Sequence, residues 1–141
     1  MFKVFSRFIL LTVILGVSAC AVMQPKTDEE RVLARAEQRQ VALLKQDFKT
    51  AYQYMSPGYR QLNNLEQFTA NYIGVYSWVS SNVKNASCED DVCKVNVAIE
   101  YDAGLMMGTS RKPSTEKFLV PRVNQETWFK LDDKWWFSKS E

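Results

Sequence analysis

The three cysteines offer the most chemistry in this chain, because a thiol can be acylated, oxidised to a disulfide or used as a metal ligand. They are Cys20, Cys88 and Cys93. The 141-residue chain contains no histidine, the commonest general base and metal ligand. It also lacks a glycine-rich phosphate loop. We therefore predict no metal site, no cofactor and no Ser-His or Cys-His nucleophile.

Cys20 follows a segment with the layout of a secretory signal. Lys3 and Arg7 precede the apolar run 8–17, and the small residues Ser18 and Ala19 come directly before the cysteine. The apolar run has about half of the roughly 20 residues that a membrane-spanning helix needs. We therefore predict that the segment is recognised by the export machinery and removed.

The four residues Val17-Ser18-Ala19-Cys20 resemble the lipobox of bacterial lipoproteins. The resemblance implies that Cys20 receives a diacylglyceryl group, becomes the first residue after cleavage and anchors the protein in a membrane of the cell envelope. Ala21, where Asp would favour the inner membrane, implies the outer membrane, with the domain facing the periplasm. The alternative is an ordinary signal peptide with a chance cysteine. The implied boundaries are a leader at 1–19, a lipidated tether at 20–27 and one domain at 28–141.

Removal of the leader changes the charge and the cysteine count. The chain has 18 basic and 16 acidic residues, and the leader holds two of the basic ones, so the mature chain is balanced and offers no footprint for nucleic acid. With Cys20 assigned to lipid, Cys88 and Cys93 remain on either side of a short polar connection. We predict a disulfide across a hairpin, worth about 2 kcal/mol in an oxidising periplasm. A Cys-pair metal or redox site is the alternative.

Capping signals and periodicity predict the helices. Thr27 and Glu30 form a capping box, and apolar residues at three- and four-residue spacing predict one helix from there to about Tyr54, stopped by the Ser-Pro-Gly at 56–58. Residues 59–63 are predicted as a turn and 65–73 as a second helix, capped by Asn64 and closed by Gly74. A basic row on the first helix is predicted to be solvated surface: Arg31, Arg35 and Arg39.

The remainder of the chain is rich in β-branched and aromatic residues. Strands are predicted at residues 75–83, 92–101, 117–131 and 134–139, with a tight turn at 131–134. In the second strand apolar and polar residues alternate, as a sheet with one packed face requires. Pro121 predicts an edge or a bulge. The expected fold class is α+β, with N-terminal helices packed on a curved antiparallel sheet.

Two segments resemble the NTF2-like family. Residues 42–60, ALLKQDFKTAYQYMSPGYR, match its opening helix and Ser-Pro-x-Tyr-Arg turn, and ETWFK at 126–130 with KWWF at 134–137 is similar to its last hairpin. The resemblance implies a cone of curved sheet wrapped around helices, often with an internal pocket and often as a homodimer. Some enzymes of the family use an Asp base with a Tyr donor, so two pairs are candidates with a structural role favoured: Asp47 with Tyr52, and Tyr101 with Asp102.

Apolar residues in the C-terminal half could contact a partner or ligand. Trp135 and Trp136 are adjacent, so they face opposite sides of a strand and one should lie outside the main core. Leu105, Met106 and Met107 are apolar residues in an otherwise polar connection. We predict a non-catalytic, membrane-anchored envelope lipoprotein that binds a partner protein or a small apolar ligand. The alternatives are an enzyme with an Asp/Tyr pocket and a structural accessory subunit of an envelope complex.

Overall fold

A computed structural model of the chain describes residues 26–106 and 118–139. The helices are α1 (Asp28–Leu44), α2 (Phe48–Tyr52), α3 (Pro57–Leu62), α4 (Leu65–Ala70) and the short α5 (Ala103–Met106). The strands are β1 (Trp78–Glu89), β2 (Val92–Asp102), β3 (Leu119–Leu131) and β4 (Lys134–Ser138). The α+β class is confirmed. The predicted lipidation site Cys20 and the predicted contact residue Met107 lie outside the described residues.

The prediction of one helix to Tyr54 is wrong, because the chain breaks after α1. Gln46 has a positive φ of 59°, and Asp47 then caps α2 by accepting a hydrogen bond from the backbone N–H of Thr50 at 3.0 Å. The apolar spacing continues through this break, so periodicity alone does not reveal it. The capping box at Thr27 is confirmed, with both of its hydrogen bonds formed.

The segment after α2 also differs from the prediction. Ser56 does not stop a helix but caps a new one, α3, with Pro57 in its first turn. Proline suits that position because its missing N–H would have no partner there. Asn64 caps α4 as predicted, through a capping box with Gln67, but α4 ends at Ala70 rather than near residue 73.

The four strands form one antiparallel sheet in the order β1-β2-β3-β4. A 3₁₀ turn at Ile73–Ser77 occupies the predicted beginning of the first strand, and β1 instead runs on to Glu89. Two register irregularities in β1, at 78–80 and 83–85, bend the sheet. The predicted turn between β3 and β4 is confirmed, with Asp132 and Asp133 both at positive φ, as tight hairpin turns require.

Pro121 lies where β3 has a neighbour on one side only. β4 pairs with β3 from Thr127 to Leu131, so in the described chain the first half of β3 pairs with β2 alone. The prediction that Pro121 marks an edge is therefore correct at that position. A missing N–H costs no hydrogen bond on an unpaired side.

The core lies between α1 and the inner face of the sheet. Val32 and Ala36 of α1 pack against a row of buried strand residues: Cys93, Val95, Val97, Ile99, Trp128 and Trp135. A second cluster joins the end of α1 to α2 and α4 around Leu43, Met55 and Phe68. The predicted alternation of β2 is confirmed for its three central apolar residues. Among the described residues no helix is both long and apolar enough to cross a membrane.

Candidate functional site

Cys88 and Cys93 form the predicted disulfide. They occupy directly paired positions of β1 and β2, and their Cα atoms are 4.0 Å apart. Cys93 is fully buried in the core cluster, and Cys88 packs against that cluster. The bond therefore joins the end of the first hairpin covalently, and in this bonded form neither sulfur is available as a thiolate metal ligand.

The two candidate acid–base pairs have structural partners instead. The Asp47 carboxylate caps α2 by accepting hydrogen bonds from Thr50, and these hydrogen bonds lower the pKa of Asp47. The Tyr52 hydroxyl donates to the backbone oxygen of Asn63 at 2.5 Å. Asp102 accepts a hydrogen bond from the N–H of Gly104, which places its carboxylate at the beginning of α5. In the described residues no side-chain hydrogen bond joins the members of either pair.

Both candidate tryptophans of β4 are buried, with Trp135 at 1% exposure and Trp136 at 8%. Trp135 belongs to the main core cluster, and Trp136 lies outside both clusters, as adjacent residues on a strand must alternate. The prediction that one of the two lies outside the main core is therefore correct, and basic side chains cover the Trp136 ring. Leu105 and Met106 lie in α5, directly after β2.

The structure places a polar cluster inside the fold that sequence reasoning did not identify. The Arg39 guanidinium donates through Nη1 to Oε1 of Glu126 at 2.6 Å, and these side chains are 2% and 10% exposed. The Gln40 amide donates to the same oxygen at 2.7 Å. The Trp128 indole donates to Oε2 at 3.0 Å. Glu126 therefore accepts three hydrogen bonds and carries a charge that Arg39 neutralises.

Arg39 extends this cluster to Tyr72 and to the end of the sheet. Its Nη2 donates to the Tyr72 hydroxyl at 2.5 Å, and its guanidinium carbon lies 3.7 Å from the centre of the Phe137 ring. Burial is the main cause that raises the pKa of Tyr72, so the phenol stays protonated. The Arg39 Nε is buried and has no hydrogen-bond partner among the described residues.

A cleft of about 190 Å³ opens onto this cluster. The apolar residues of its lining are Leu43, Trp78, Ile99 and Phe137, and the polar ones are Arg39, Tyr72, Asn124, Gln125, Glu126, Thr127 and Ser138. Three larger depressions, of about 390, 500 and 270 Å³, lie on the outer sheet face, between α1 and α2, and between α1 and β1. Buried charge and apolar walls occur together only at the smallest of these four, so it is the candidate site.

The predicted solvated basic row is wrong at Arg39, which is buried. Arg35 is partly exposed and donates to the backbone oxygen of Trp135 at 2.6 Å. Arg31 pairs with Asp28 and Asp133 nearer the surface. The available signal was spacing, because Ala36, Arg39, Gln40 and Leu43 follow the three- and four-residue intervals of a buried helix face. Charge alone does not assign a residue to the surface.

Comparison with known proteins supports the fold. No protein-family model matches the chain, and its sequence matches no curated protein. Its structure is similar to two SEC-C motif-containing proteins. The one from Rhodopseudomonas palustris has 16% identity, a TM-score of 0.52 and coverage of 80% of this chain and 77% of that one. The one from Psychrobacter arcticus has 13% identity, a TM-score of 0.54 and coverage of 82% and 61%.

A third similar structure is a candidate dehydratase of the NTF2-like family from Streptomyces avermitilis. It has 14% identity, a TM-score of 0.52 and coverage of 80% of this chain and 93% of that one. The domain therefore has an NTF2-like fold, as the sequence resemblance implied. At these identities the likeness concerns the fold alone, and the fold hosts unrelated functions.

Proposed function

We propose that this protein is a lipid-anchored lipoprotein of the bacterial envelope whose NTF2-like domain binds a small, largely apolar ligand without catalysis. The observation that carries the proposal is the sequence Val17-Ser18-Ala19-Cys20 at the end of a short apolar leader. Its lipid would hold the domain at the outer membrane, facing the periplasm. Two or more acyl chains give stable anchoring.

The disulfide supports an exported location. Disulfides persist in oxidising compartments such as the periplasm and are rare in the cytosol. Cys88 and Cys93 are paired, which leaves Cys20 as the one cysteine available for acylation. The cysteine usage thus agrees with lipid on Cys20.

The cleft favours a binding function over catalysis. A general base must have a lone pair directed at a substrate proton, and three of the roughly four lone-pair sites of the Glu126 carboxylate already accept from Arg39, Gln40 and Trp128. The buried ion pair is neutral overall, so the cleft has no net charge with which to attract an ion. Apolar walls with a few fixed polar groups are typical of small-molecule sites. A neutral ligand with one polar group fits this chemistry.

Acyl labelling in a bacterial host tests the anchor. An alkyne-tagged fatty acid should label the wild-type chain, whereas Cys20→Ser should lose the label and accumulate as an unprocessed precursor. The matched control is Cys88→Ser combined with Cys93→Ser, which removes the other two thiols and should still be labelled. Persistent labelling of Cys20→Ser would overturn the anchoring proposal.

Titration with p-cresol, a neutral ring with one hydroxyl, tests the cleft. The NMR signal of the Trp128 indole N–H should shift on binding, because that group donates to Glu126 at the base of the cleft. Asn124→Phe should fill the cleft and abolish the shift, and Asn82→Phe on the outer sheet face should leave it unchanged. Equal shifts in both variants would contradict a ligand site there.

A further inference from the structure

We propose that Arg35, Arg60 and Lys134, gathered around Trp136, form a basic surface that docks the domain onto the anionic phospholipid headgroups of its own membrane. This inference rests on the proposed lipid anchor. These four residues are the basic surface. It is separate from the cleft, because Phe137 lines the cleft and Trp136 faces the opposite side of β4.

Three cations converge on one indole. The Trp136 ring centre lies 4.8 Å from Lys134 Nζ, 5.4 Å from the Arg35 guanidinium and 5.5 Å from the Arg60 guanidinium. Because all three charges lie within 5.5 Å of the same ring centre, any two of them are at most about 11 Å apart. Cation–π contacts are attractive, but they do not cancel the repulsion among three like charges.

None of the three cations has a carboxylate partner within the described part of the chain. Arg35 donates to a backbone oxygen, and Arg60 donates through Nη1 to the Gln53 amide at 2.8 Å. The Arg60 Nε is buried and makes no hydrogen bond in the described structure. The basic surface therefore keeps its positive charge, and one of its N–H donors has no partner in the described structure.

Two basic residues near the basic surface, unlike its own three cations, are neutralised by carboxylates. Arg31 and Lys130 both pair with Asp28 and with Asp133. Asp132 lies at the exposed β3–β4 turn, two residues before Lys134, and forms no salt bridge in the described structure. One such carboxylate does not balance three cations.

The basic surface lies close to the point where the tether enters the domain. The ion pairs of Asp28 and Arg31 hold the beginning of α1 against the β3–β4 turn, and Lys134 directly follows that turn. Arg35 is four residues beyond Arg31, or about 6 Å along the helix. Seven residues from Cys20 to Lys26 span at most about 25 Å, so the lipid anchor keeps this end of the domain near the headgroups.

Phospholipid headgroups suit this arrangement better than a free ion. Arginine donates to phosphate oxygens in pairs, and lysine adds a point charge. Each basic side chain near an anionic membrane contributes about 1 kcal/mol, and this attraction acts within a Debye length of the surface. Three side chains on a tethered domain are therefore enough to bias its orientation.

Vesicle binding tests the basic surface independently of the anchor. The core residues lie between Val32 and Phe137, so the chain from residue 20 with Cys20→Ser keeps the whole core. It should bind vesicles containing phosphatidylglycerol, bind phosphatidylcholine vesicles much less and dissociate at about 0.5 M salt. Arg60→Gln and Lys134→Gln should each weaken binding about five-fold. The control is Lys84→Gln, an exposed lysine on β1, which should bind like the parent.

The alternatives give different results. Two results would each overturn the proposal. One is equal binding of the parent protein to both kinds of vesicle, and the other is equal binding of the parent and Lys134→Gln to phosphatidylglycerol vesicles. Quenching of tryptophan fluorescence by inorganic phosphate or poly-glutamate without vesicle binding would also overturn it, in favour of a free anion or an acidic protein. Lys134 is exposed on an edge strand, so its variant provides the test even if Arg60→Gln does not fold. Vesicle binding with a failed Cys20 labelling test would refute the anchor alone.

Discussion

Arg39 and Glu126 are the residues on which the interior of this domain most depends. Burying two charges costs several kcal/mol per ion, and the cost is offset only when the pair is close and its other atoms are hydrogen-bonded. Glu126 meets that condition, since it accepts from Gln40 and Trp128 as well as from Arg39. Arg39 meets it in part, because its Nε is left without a partner in the described structure. The pair is thus better suited to fixing a geometry than to maximising stability.

Removing one member of the pair should destabilise the domain strongly. Glu126→Ala leaves the Arg39 charge buried without compensation, and we expect a loss of about 3–5 kcal/mol in the free energy of unfolding. Arg39→Met combined with Glu126→Gln should recover a large part of that loss, because no lone charge remains. Urea denaturation followed by tryptophan fluorescence measures both. The control is Glu100→Ala on the outer face, which should change the free energy of unfolding little. An effect of Glu126→Ala as small as that of the control would contradict this account.

Tyr72 should make the stability pH-dependent in alkaline solution. Burial raises its pKa above the ordinary value of 10.0. A raised pKa means that its contribution is fully present below the unfolded-state pKa and is lost as the pH rises through the folded-state pKa. The stability difference between wild type and Tyr72→Phe should therefore be constant below about pH 9 and shrink above pH 10.

Urea unfolding at several pH values measures this difference. Tyr76→Phe, at an exposed tyrosine, controls for the general effect of alkaline solution. A difference that stays constant to pH 11 would show that the Tyr72 ring is not desolvated as the structure places it.

At the scale of elements, the break between α1 and α2 determines the shape of the helical layer. Gln46 takes a left-handed conformation, which costs an L-residue roughly 1–2 kcal/mol. The break is held by Asp47, which caps α2, and by the packing of α1 with α2 in the second core cluster. It lets α2 return along α1, so that Met55 reaches β4 and pairs with Phe137.

Gln46→Gly should stabilise the protein by up to about 1 kcal/mol. Glycine adopts positive φ without strain, and this gain exceeds its larger entropy in the unfolded chain. The matched control is Gln38→Gly inside α1, where glycine should cost about 1 kcal/mol. Thermal unfolding followed by circular dichroism measures both variants, and destabilisation by Gln46→Gly would mean that the junction is helical in solution.

At the scale of the whole molecule, the two core clusters share residues. Trp78 and Phe137 pack against both of them, and the Arg39 guanidinium lies on the Phe137 ring. On the outer sheet face Asn85, Asn96 and Gln125 are hydrogen-bonded in a row across three strands, and Val123 is exposed beside them. In the described structure the domain therefore has one continuous interior and, across β1, β2 and β3, one solvated face.

This shared packing predicts a single cooperative unfolding transition. Tryptophan fluorescence reports mainly on the sheet side and far-ultraviolet circular dichroism mainly on the helices, so their urea curves should coincide. Phe137→Ala removes a residue that joins the two clusters and should lower the midpoint while reducing the coincidence. Two separate transitions in the wild-type chain would contradict the shared core.

Local signals predicted much of the fold. The caps at Thr27 and Asn64, the alternation of β2 and the turn at 131–134 depend on neighbours in sequence, so they could be read directly. The break at Gln46 could not, because the apolar spacing continues across it and tertiary packing decides where that helix ends. The break at Ser56 was predicted as a stop, although the Ser56-Pro57 pair also suits the start of a helix. The cleft was also missed, since its ion pair joins residues 87 positions apart.

The sequence by itself determined the caps of α1 and α4, the β3–β4 turn, the α+β class and the pairing of Cys88 with Cys93, because each depends on residues a few positions apart. It also carries the resemblance to a lipobox at Cys20, on which the proposed location depends. Only the tertiary structure decided that Arg39 is buried against Glu126 and that three cations surround Trp136. Burial and charge pairing depend on which distant surfaces meet, and the same arginine is a surface residue or a core residue according to what its helix covers.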